Sequence, residues 1–250
     1  MFKILKIGGS AITDKAKADC VRGEEIERIA GEISDQASGL VLVHGAGSFG
    51  HIPAKKYGLP GKFSSEGLRV THASVAELNR IVVEALSKAG VDALPVHPLS
   101  CVFLKEGRIE KMEVDFIKEM VARDIIPVLH GDVAMDSSRG AGIVSGDQLV
   151  PYMAKALGAE TVALGTDVDG VLCNGAPLKE VTRETLPEIE SCFTQGPGTD
   201  VTGGMRGKII ELLDLADAGT TSLIFNAREN GMVKRALSGE AVGTIIRRSN

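Results

Sequence analysis

The chain has 250 residues, 44% of them hydrophobic and 24% charged, with a formal net charge of −5. That suits one large domain or two small intertwined lobes. The absence of a basic tract, with two Tyr, seven Phe and no Trp, argues against a nucleic-acid surface, which needs positive charge and stacking rings.

No apolar run approaches the ~20 residues that span a membrane, and the N-terminus reads directly into a strand rather than a signal peptide. Cys20, Cys101, Cys173 and Cys192 are widely spaced with no C-x-x-C pair, so they read as reduced and mostly structural, in a cytosolic protein. Thirty glycines, against the ~7% usual in proteins, indicate many tight turns or ligand-facing loops.

Residues 2–8 read as a first strand that carries Lys6 and ends in Gly8-Gly9-Ser10, before a polar loop containing Thr13, Asp14 and Lys15. Helical periodicity over 23–38 places Ile26, Ile29, Ala30, Ile33 and Ala37 on one face. The apolar run 40–44 predicts a buried strand leading into His44-Gly45-Ala46-Gly47-Ser48-Phe49-Gly50-His51. Residues 52–62, with Pro53, Gly58, Pro60 and Gly61, read as a loop. Ser64 or Ser65 starts a long helix to about Lys88, stopped by Gly90.

A strand at 93–96, a hairpin over 101–112 and a short helix over 114–123 come next. A strand at 125–129 then opens into His130-Gly131-Asp132. A second hairpin spans 133–144, and Ser145-Gly146-Asp147 caps a helix through 157. The strand at 161–165 runs into Thr166-Asp167-Val168-Asp169-Gly170-Val171, ahead of a loop-rich span to 199. Asp200-Val201-Thr202-Gly203-Gly204-Met205 begins a helix carrying Lys208; a strand (222–225), a helix (229–237) and a last strand (243–246) close the chain. Strands alternating with helices predict a mostly parallel sheet covered on both faces. The polar loops all come after strands and so gather at the sheet's carboxyl edge, where open α/β folds bind ligands.

Residues 45–50 fit G-x-G-x-x-G, but a dinucleotide site needs a helix straight after the glycines and an acidic residue after the next strand. Here Pro and Gly interrupt residues 52–62, and the next strand ends in His97-Pro98. A phosphate loop of the Walker type would need Lys-Ser or Lys-Thr where His51-Ile52 stands. Lys6 places an ammonium two residues before a glycine pair, either beside bound phosphates or snorkelling from an edge strand. Gly203-Gly204 before a helix with Lys208 suits an anion or is a plain turn with a surface lysine. Taken singly, Lys15 reads as a solvated cation, Asp147 as a helix cap, and Asp167 and Asp169 as turn residues. His44, His72, His97 and His130 lack metal-ligand spacing; His51 differs because it ends a glycine loop.

Together, in this order, the motifs around Lys6, His44 to His51, Ser145 to Asp147, Thr166 to Val171 and Asp200 to Lys208 resemble the amino-acid kinase superfamily along the whole chain. Within it, Ile12-Thr13-Asp14-Lys15 and the loop ending in His51 resemble the isopentenyl phosphate kinases, in particular archaeal ones.

The resemblance implies a three-layer αβα sandwich on about eight mostly parallel strands. Residues 1–158 would form the acceptor lobe and 159–250 the nucleotide lobe of one continuous sheet. It further implies a cytoplasmic homodimer of isoprenoid biosynthesis, ATP with Mg²⁺, and direct in-line transfer to the phosphate of isopentenyl phosphate. Lys6, Lys15, His51, Asp147 and Lys208 would be the catalytic set, with no protein metal ligands. Lys6, Gly8, Gly9, Ser10, Gly47, Asp167, Gly204 and Lys208 would face ATP, and Ala46, Gly47, His51, Gly131 and Gly146 the acceptor phosphate. By element placement, Phe49, Ile52, Tyr57, Val75, Ala76, Asn79, Val133 and Ile143 are candidates for the acceptor's apolar tail. A phosphonate kinase of the fosfomycin type and a nucleotide-binding module without turnover remain alternatives.

Overall fold

The computed structural model describes residues 2–14, 17, 19–193 and 204–249. Strand β1 (Lys3–Ile7) turns through a single helical turn, α1 (Gly9–Ile12), and α2 (Gly23–Ser34) leads into β2 (Leu40–His44). Helices α3 (Gly47–Lys56) and α4 (Ser65–Lys88) precede β3 (Ala93–Pro95) and the short α5 (Pro98–Cys101). The hairpin of β4 (Val102–Lys105) and β5 (Arg108–Met112), then α6 (Asp115–Ala122), lead to β6 (Ile126–His130). A second hairpin, β7 (Asp132–Asp136) with β8 (Gly140–Val144), enters α7 (Gly146–Leu157).

Strand β9 (Thr161–Thr166) precedes the two-residue strands β10 (Leu172–Cys173), β11 (Ala176–Pro177) and β12 (Glu180–Val181). Then come α8 (Leu186–Ile189) and a 3₁₀ turn at Glu190–Phe193. Last are α9 (Gly204–Asp217), β13 (Thr221–Asn226), α10 (Met232–Leu237) and β14 (Thr244–Ile246).

The main sheet has eight strands in the order β12-β14-β13-β9-β1-β2-β6-β3. Every neighbouring pair is parallel except β13 with β14. A smaller sheet, β5-β4-β7-β8, joins the two hairpins. The expected α/β architecture on a mostly parallel sheet is therefore present. Residues before 158 supply β1, β2, β3 and β6 to it, and residues after 159 supply β9, β12, β13 and β14.

Central strands buried on both faces must be apolar throughout, which explains Leu40-Val41-Leu42-Val43. Side-chain alternation sends Ile4, Val41 and Val43 to one core with Leu149 of α7 and Leu212 of α9. Leu5 and Leu42 enter the other with Ile29 of α2 and Leu78 of α4. Lys6, two residues after Ile4, projects to the α7 and α9 side.

The turns after β1 and β2 pack backbone against backbone. A Cβ on Gly9 would lie 2.4 Å from the Gly47 nitrogen, and one on Gly45 would lie 2.4 Å from the Gly9 nitrogen. Gly47 takes φ +53° to begin α3.

Three local expectations are corrected. Residues 47–56 are helical although Pro53 lies inside. Proline removes one helical hydrogen bond, but Phe49 and Ala54 are buried on this helix, and such tertiary packing holds a short helix. The lack of a helix is thus no argument against a dinucleotide site, whereas His97-Pro98 after the next strand still is. Helix α2 ends at Ser34, before the predicted 38. Cys173 and Cys192 are joined in a disulfide, with a Cα separation of 5.1 Å. Their spacing of 19 residues hid this, because the excursion after β9 folds back on itself; Cys20 and Cys101 are free. Among the described residues no helix is long and apolar enough to cross a membrane.

Two alanine substitutions should have opposite signs. Gly45→Ala forces a backbone clash, so Tm should fall and kcat/KM should drop roughly tenfold or more. Gly31→Ala in α2 meets nothing within 4 Å and should stabilise by about 0.5–1 kcal/mol. Thermal melts that move in the same direction for both would contradict the close-packed turns.

Candidate active site

Lys6 lies on a strand paired on both sides and is 6% exposed, which removes the edge-strand reading. Its Nζ donates to Asp147 Oδ1 at 2.5 Å. On the other side of the same carboxylate, Lys208 Nζ stands 3.4 Å from Oδ2. Asp147 occupies the first turn of α7, where Ser145 Oγ accepts from the Gln148 amide at 3.3 Å. Ser145 therefore performs the capping role, leaving Asp147 to hold the lysines. Lys208 comes from the first turns of α9, reached only after the chain has crossed half the sheet. Burial pushes the Asp147 carboxyl up, but the charges of Lys6 and Lys208 and their hydrogen bonds outweigh it and hold its pKa below the ordinary value.

Glycine turns lie at the same edge of the sheet, and Gly146 touches the cluster directly. A Cβ on Gly146 would meet Lys6 Cε at 3.0 Å, and one on Gly131 would lie 3.2 Å from Ala46. The Gly8 amide donates to the Gly165 carbonyl at 2.8 Å, tying the β1 turn to the end of β9. Thr13 Oγ1 donates to the Gly9 carbonyl at 2.8 Å and accepts from the Ser48 amide at 3.2 Å, bridging α1 to α3. The other first-turn amides of α3, Gly47 and Phe49, have no partner inside their helix, which suits an anion. His51 is exposed on α3 four residues after Gly47, on the same helical face.

Across the sheet, Asp167 is exposed just after β9. Thr166 Oγ1 donates to Val168 O at 2.9 Å, and Asn226 donates to Asp169 at 2.8 Å. Ser10 comes after Gly9 in α1, and Gly204 is the first residue of α9.

The structure thus gathers Lys6, Asp147 and Lys208, and sets the turns of Gly8, Gly9, Ala46, Gly47, Gly131 and Gly146 about them. Lys15 and residues 200–203 lie outside the described residues. Thr13 was missed as the bridge between the glycine turns; its place in a polar loop gave no signal. The expected tail-pocket residues divide. Phe49 and Val75 belong to the large core, and Asn79 is fully buried in hydrogen bonds to His44 and Val128. Val133, Tyr57 and Ile143 instead meet Ala54, Leu59 and Leu68 in a small separate apolar cluster. Among the described residues no group of three or more His, Cys, Asp or Glu side chains could hold a metal ion.

Paired lysines on one carboxylate, with glycine turns at the same carboxyl edge of a parallel sheet, have the charge and exposed backbone that suit phosphate groups. The chain matches the amino acid kinase family over residues 1–226. It is 40% identical to the isopentenyl phosphate kinase of Methanothermobacter thermautotrophicus, with 97% of this chain and 98% of that protein covered. It is 34% identical to that of Methanocaldococcus jannaschii, with 98% of each covered. A crystal structure of isopentenyl phosphate kinase superposes with a TM-score of 0.84 at 34% identity, covering 98% of this chain and all of that one. The chain belongs to the amino acid kinase family and, within it, to the isopentenyl phosphate kinases.

Asp147→Asn should remove the carboxylate that pairs with both lysines, costing about 3 kcal/mol and lowering kcat roughly 100-fold or more. Because the native carboxyl pKa is lowered, its stabilisation is complete above the ordinary value of about 3.9 and lost as pH falls through the native one. Denaturant titrations should therefore show the wild-type advantage over Asp147→Asn at neutral pH shrinking below about pH 4. A gap that stays constant through that range would contradict the ion pairs.

Proposed function

We propose that the protein transfers the γ-phosphoryl group of ATP to isopentenyl phosphate, forming isopentenyl diphosphate and ADP in a single in-line displacement. The observation that carries this reading is the Lys6–Asp147–Lys208 cluster beside the glycine turns, in a chain of this family. A non-bridging oxygen of the acceptor phosphate attacks the γ-phosphorus. The bond to the β,γ-bridging oxygen breaks, and its electron pair stays with ADP.

Such a transfer depends on positioning and charge neutralisation more than on covalent help. Lys6 and Lys208 neutralise the ATP phosphates, and Lys15 meets the charge of the moving group. Asp147 keeps both lysines in place rather than acting as a base. No base is needed, because an acceptor phosphate with a second pKa of about 6 is already largely ionised near neutrality.

Backbone amides of Gly9, Ser10 and Gly47, with Asp167 and Gly204, face the nucleotide; Gly8 lines the same turn, but its own amide is already given to the Gly165 carbonyl. Ala46, Gly47, Gly131 and Gly146 face the acceptor phosphate, and His51 donates a hydrogen bond to it. These assignments divide the chain into an acceptor lobe, 1–158, and a nucleotide lobe, 159–250. Mg²⁺ would arrive on the phosphates of ATP and neutralise part of their charge, as usual where a site offers few carboxylates. The apolar cluster around Leu59, Leu68 and Val133 suits the acceptor's hydrocarbon tail.

The reaction is that of a cytoplasmic homodimer in isoprenoid biosynthesis. A second copy would cover the terminal strand β3, whose Leu94 is 49% exposed, since uncovered edges are a liability.

The test is ADP release, by a coupled assay, with isopentenyl phosphate, dimethylallyl phosphate, fosfomycin, UMP and carbamate, on wild type and His51→Ala. Turnover should be confined to the prenyl phosphates. His51→Ala should lose at least ~100-fold in kcat/KM while still binding ATP. Turnover only with fosfomycin, UMP or carbamate would sink this reading, and near-normal activity of His51→Ala would remove the histidine from it.

A further inference from the structure

Four histidines with no ligand spacing in the sequence converge beneath the acceptor side of the site. His44 ends β2 and His130 ends β6, and the two are register partners across parallel strands. Their rings stack at 5.6 Å between centroids and 22° between planes. Both are fully buried, 1% and 0% exposed, and each directly precedes a glycine of the site, Gly45 and Gly131.

The hydrogen bonds fix their tautomers. His44 Nδ1 lies 3.1 Å from the Gly45 carbonyl and His130 Nδ1 lies 3.0 Å from the Gly131 carbonyl. A carbonyl only accepts, so each Nδ1 carries the hydrogen. The opposite nitrogens accept: Asn79 Nδ2 donates to His44 Nε2 at 3.1 Å, and His97 Nδ1 donates to His130 Nε2 at 2.8 Å. Asn79 also donates to the Val128 carbonyl at 3.1 Å, which anchors it to β6. The neighbouring His72 donates to Asp132 at 3.0 Å, and Asp132 also accepts from the Leu99 and Val133 amides. Burial pushes the His44 and His130 pKa values down, to about 3 and about 4. That agrees with two neutral rings.

We propose that His44 and His130 are a matched pair of positioning residues that set the Gly45–Ala46 and Gly131–Asp132 peptides for binding the acceptor phosphate. A trans peptide points its N–H opposite its C=O. Holding the Gly45 carbonyl against His44 therefore turns the Ala46 amide away from the core, toward the face where the acceptor phosphate is placed. His130 holds the Gly131 carbonyl in the same way, and Gly131 packs so closely on this turn that a Cβ there would lie 3.2 Å from Ala46. The Ala46 amide is then oriented before substrate arrives, with the neighbouring Gly131 turn fixed beside it, and binding need not order them. The proposal rests on the reading of Ala46 and Gly131 as acceptor contacts.

The test compares His44→Leu, which fills the space without a donor, with His44→Asn, whose side-chain amide nitrogen stands close to where Nδ1 stands. His44→Leu should raise KM for isopentenyl phosphate roughly tenfold and leave KM for ATP within about twofold. His44→Asn should recover most of the loss. Side-chain nitrogen NMR of the wild-type protein should show both rings neutral and protonated at Nδ1 at neutral pH. This readout needs neither turnover nor a folded variant. Equal loss of Tm in both variants with unchanged KM would overturn the proposal, as would an Nε2-protonated ring or an imidazolium at either position. A wild type inactive on prenyl phosphates would instead fail the functional reading, and the NMR would still decide the tautomers.

Discussion

The site depends on one carboxylate held between two ammonium groups. Asp147 stands between Lys6 and Lys208, and the three come from a central strand, a helix N-terminus and a helix of the second half of the chain. Neither lysine could be kept at the carboxyl edge of a buried sheet without a counter-charge, since an unpaired buried ammonium is costly. The same carboxylate sets the distance between the two cations. Under the proposed reaction, two positive charges fixed at the edge of a low-dielectric core would meet polyphosphate without reorganising as charge moves between phosphates.

Around that cluster the chain uses backbone rather than side chains. The turns after β1 and β2 approach so closely that neither Gly9 nor Gly45 tolerates a Cβ. Thr13 bridges α1 to α3, and buried imidazoles hold the carbonyls of Gly45 and Gly131. Each level of the chain prepares the next. Apolar strands bring the turns to one edge, the turns expose amides, and the lysines supply the charge that amides alone lack.

Much of this was legible in the sequence, and for local reasons. Ser64 caps α4 by accepting from Gly67, and Ser145 caps α7, both as the pattern of a small hydroxyl before a helical run predicts. The two hairpins and the parallel alternation came from periodicity. What the sequence hid was either a compensation or a long-range register. Pro53 concealed α3, because the packing that tolerates it comes from α4. Asn79 looked like a pocket residue by its place on a long helix, whereas its partner is His44 on the sheet below. His44 and His130 are far apart along the chain and become neighbours only through the β2–β6 register. The Cys173–Cys192 pair likewise depends on how the excursion after β9 returns.

The central claim is that the Lys6–Asp147–Lys208 cluster serves one direct transfer with no phosphoenzyme. The most direct measurement is the stereochemical course at phosphorus, using ATP made chiral by oxygen isotopes at the γ-phosphoryl group and isopentenyl phosphate as acceptor. A single in-line displacement predicts inversion of configuration in the product. Retention would mean two successive transfers through a side chain, and would contradict the account of a site that works by position and charge alone.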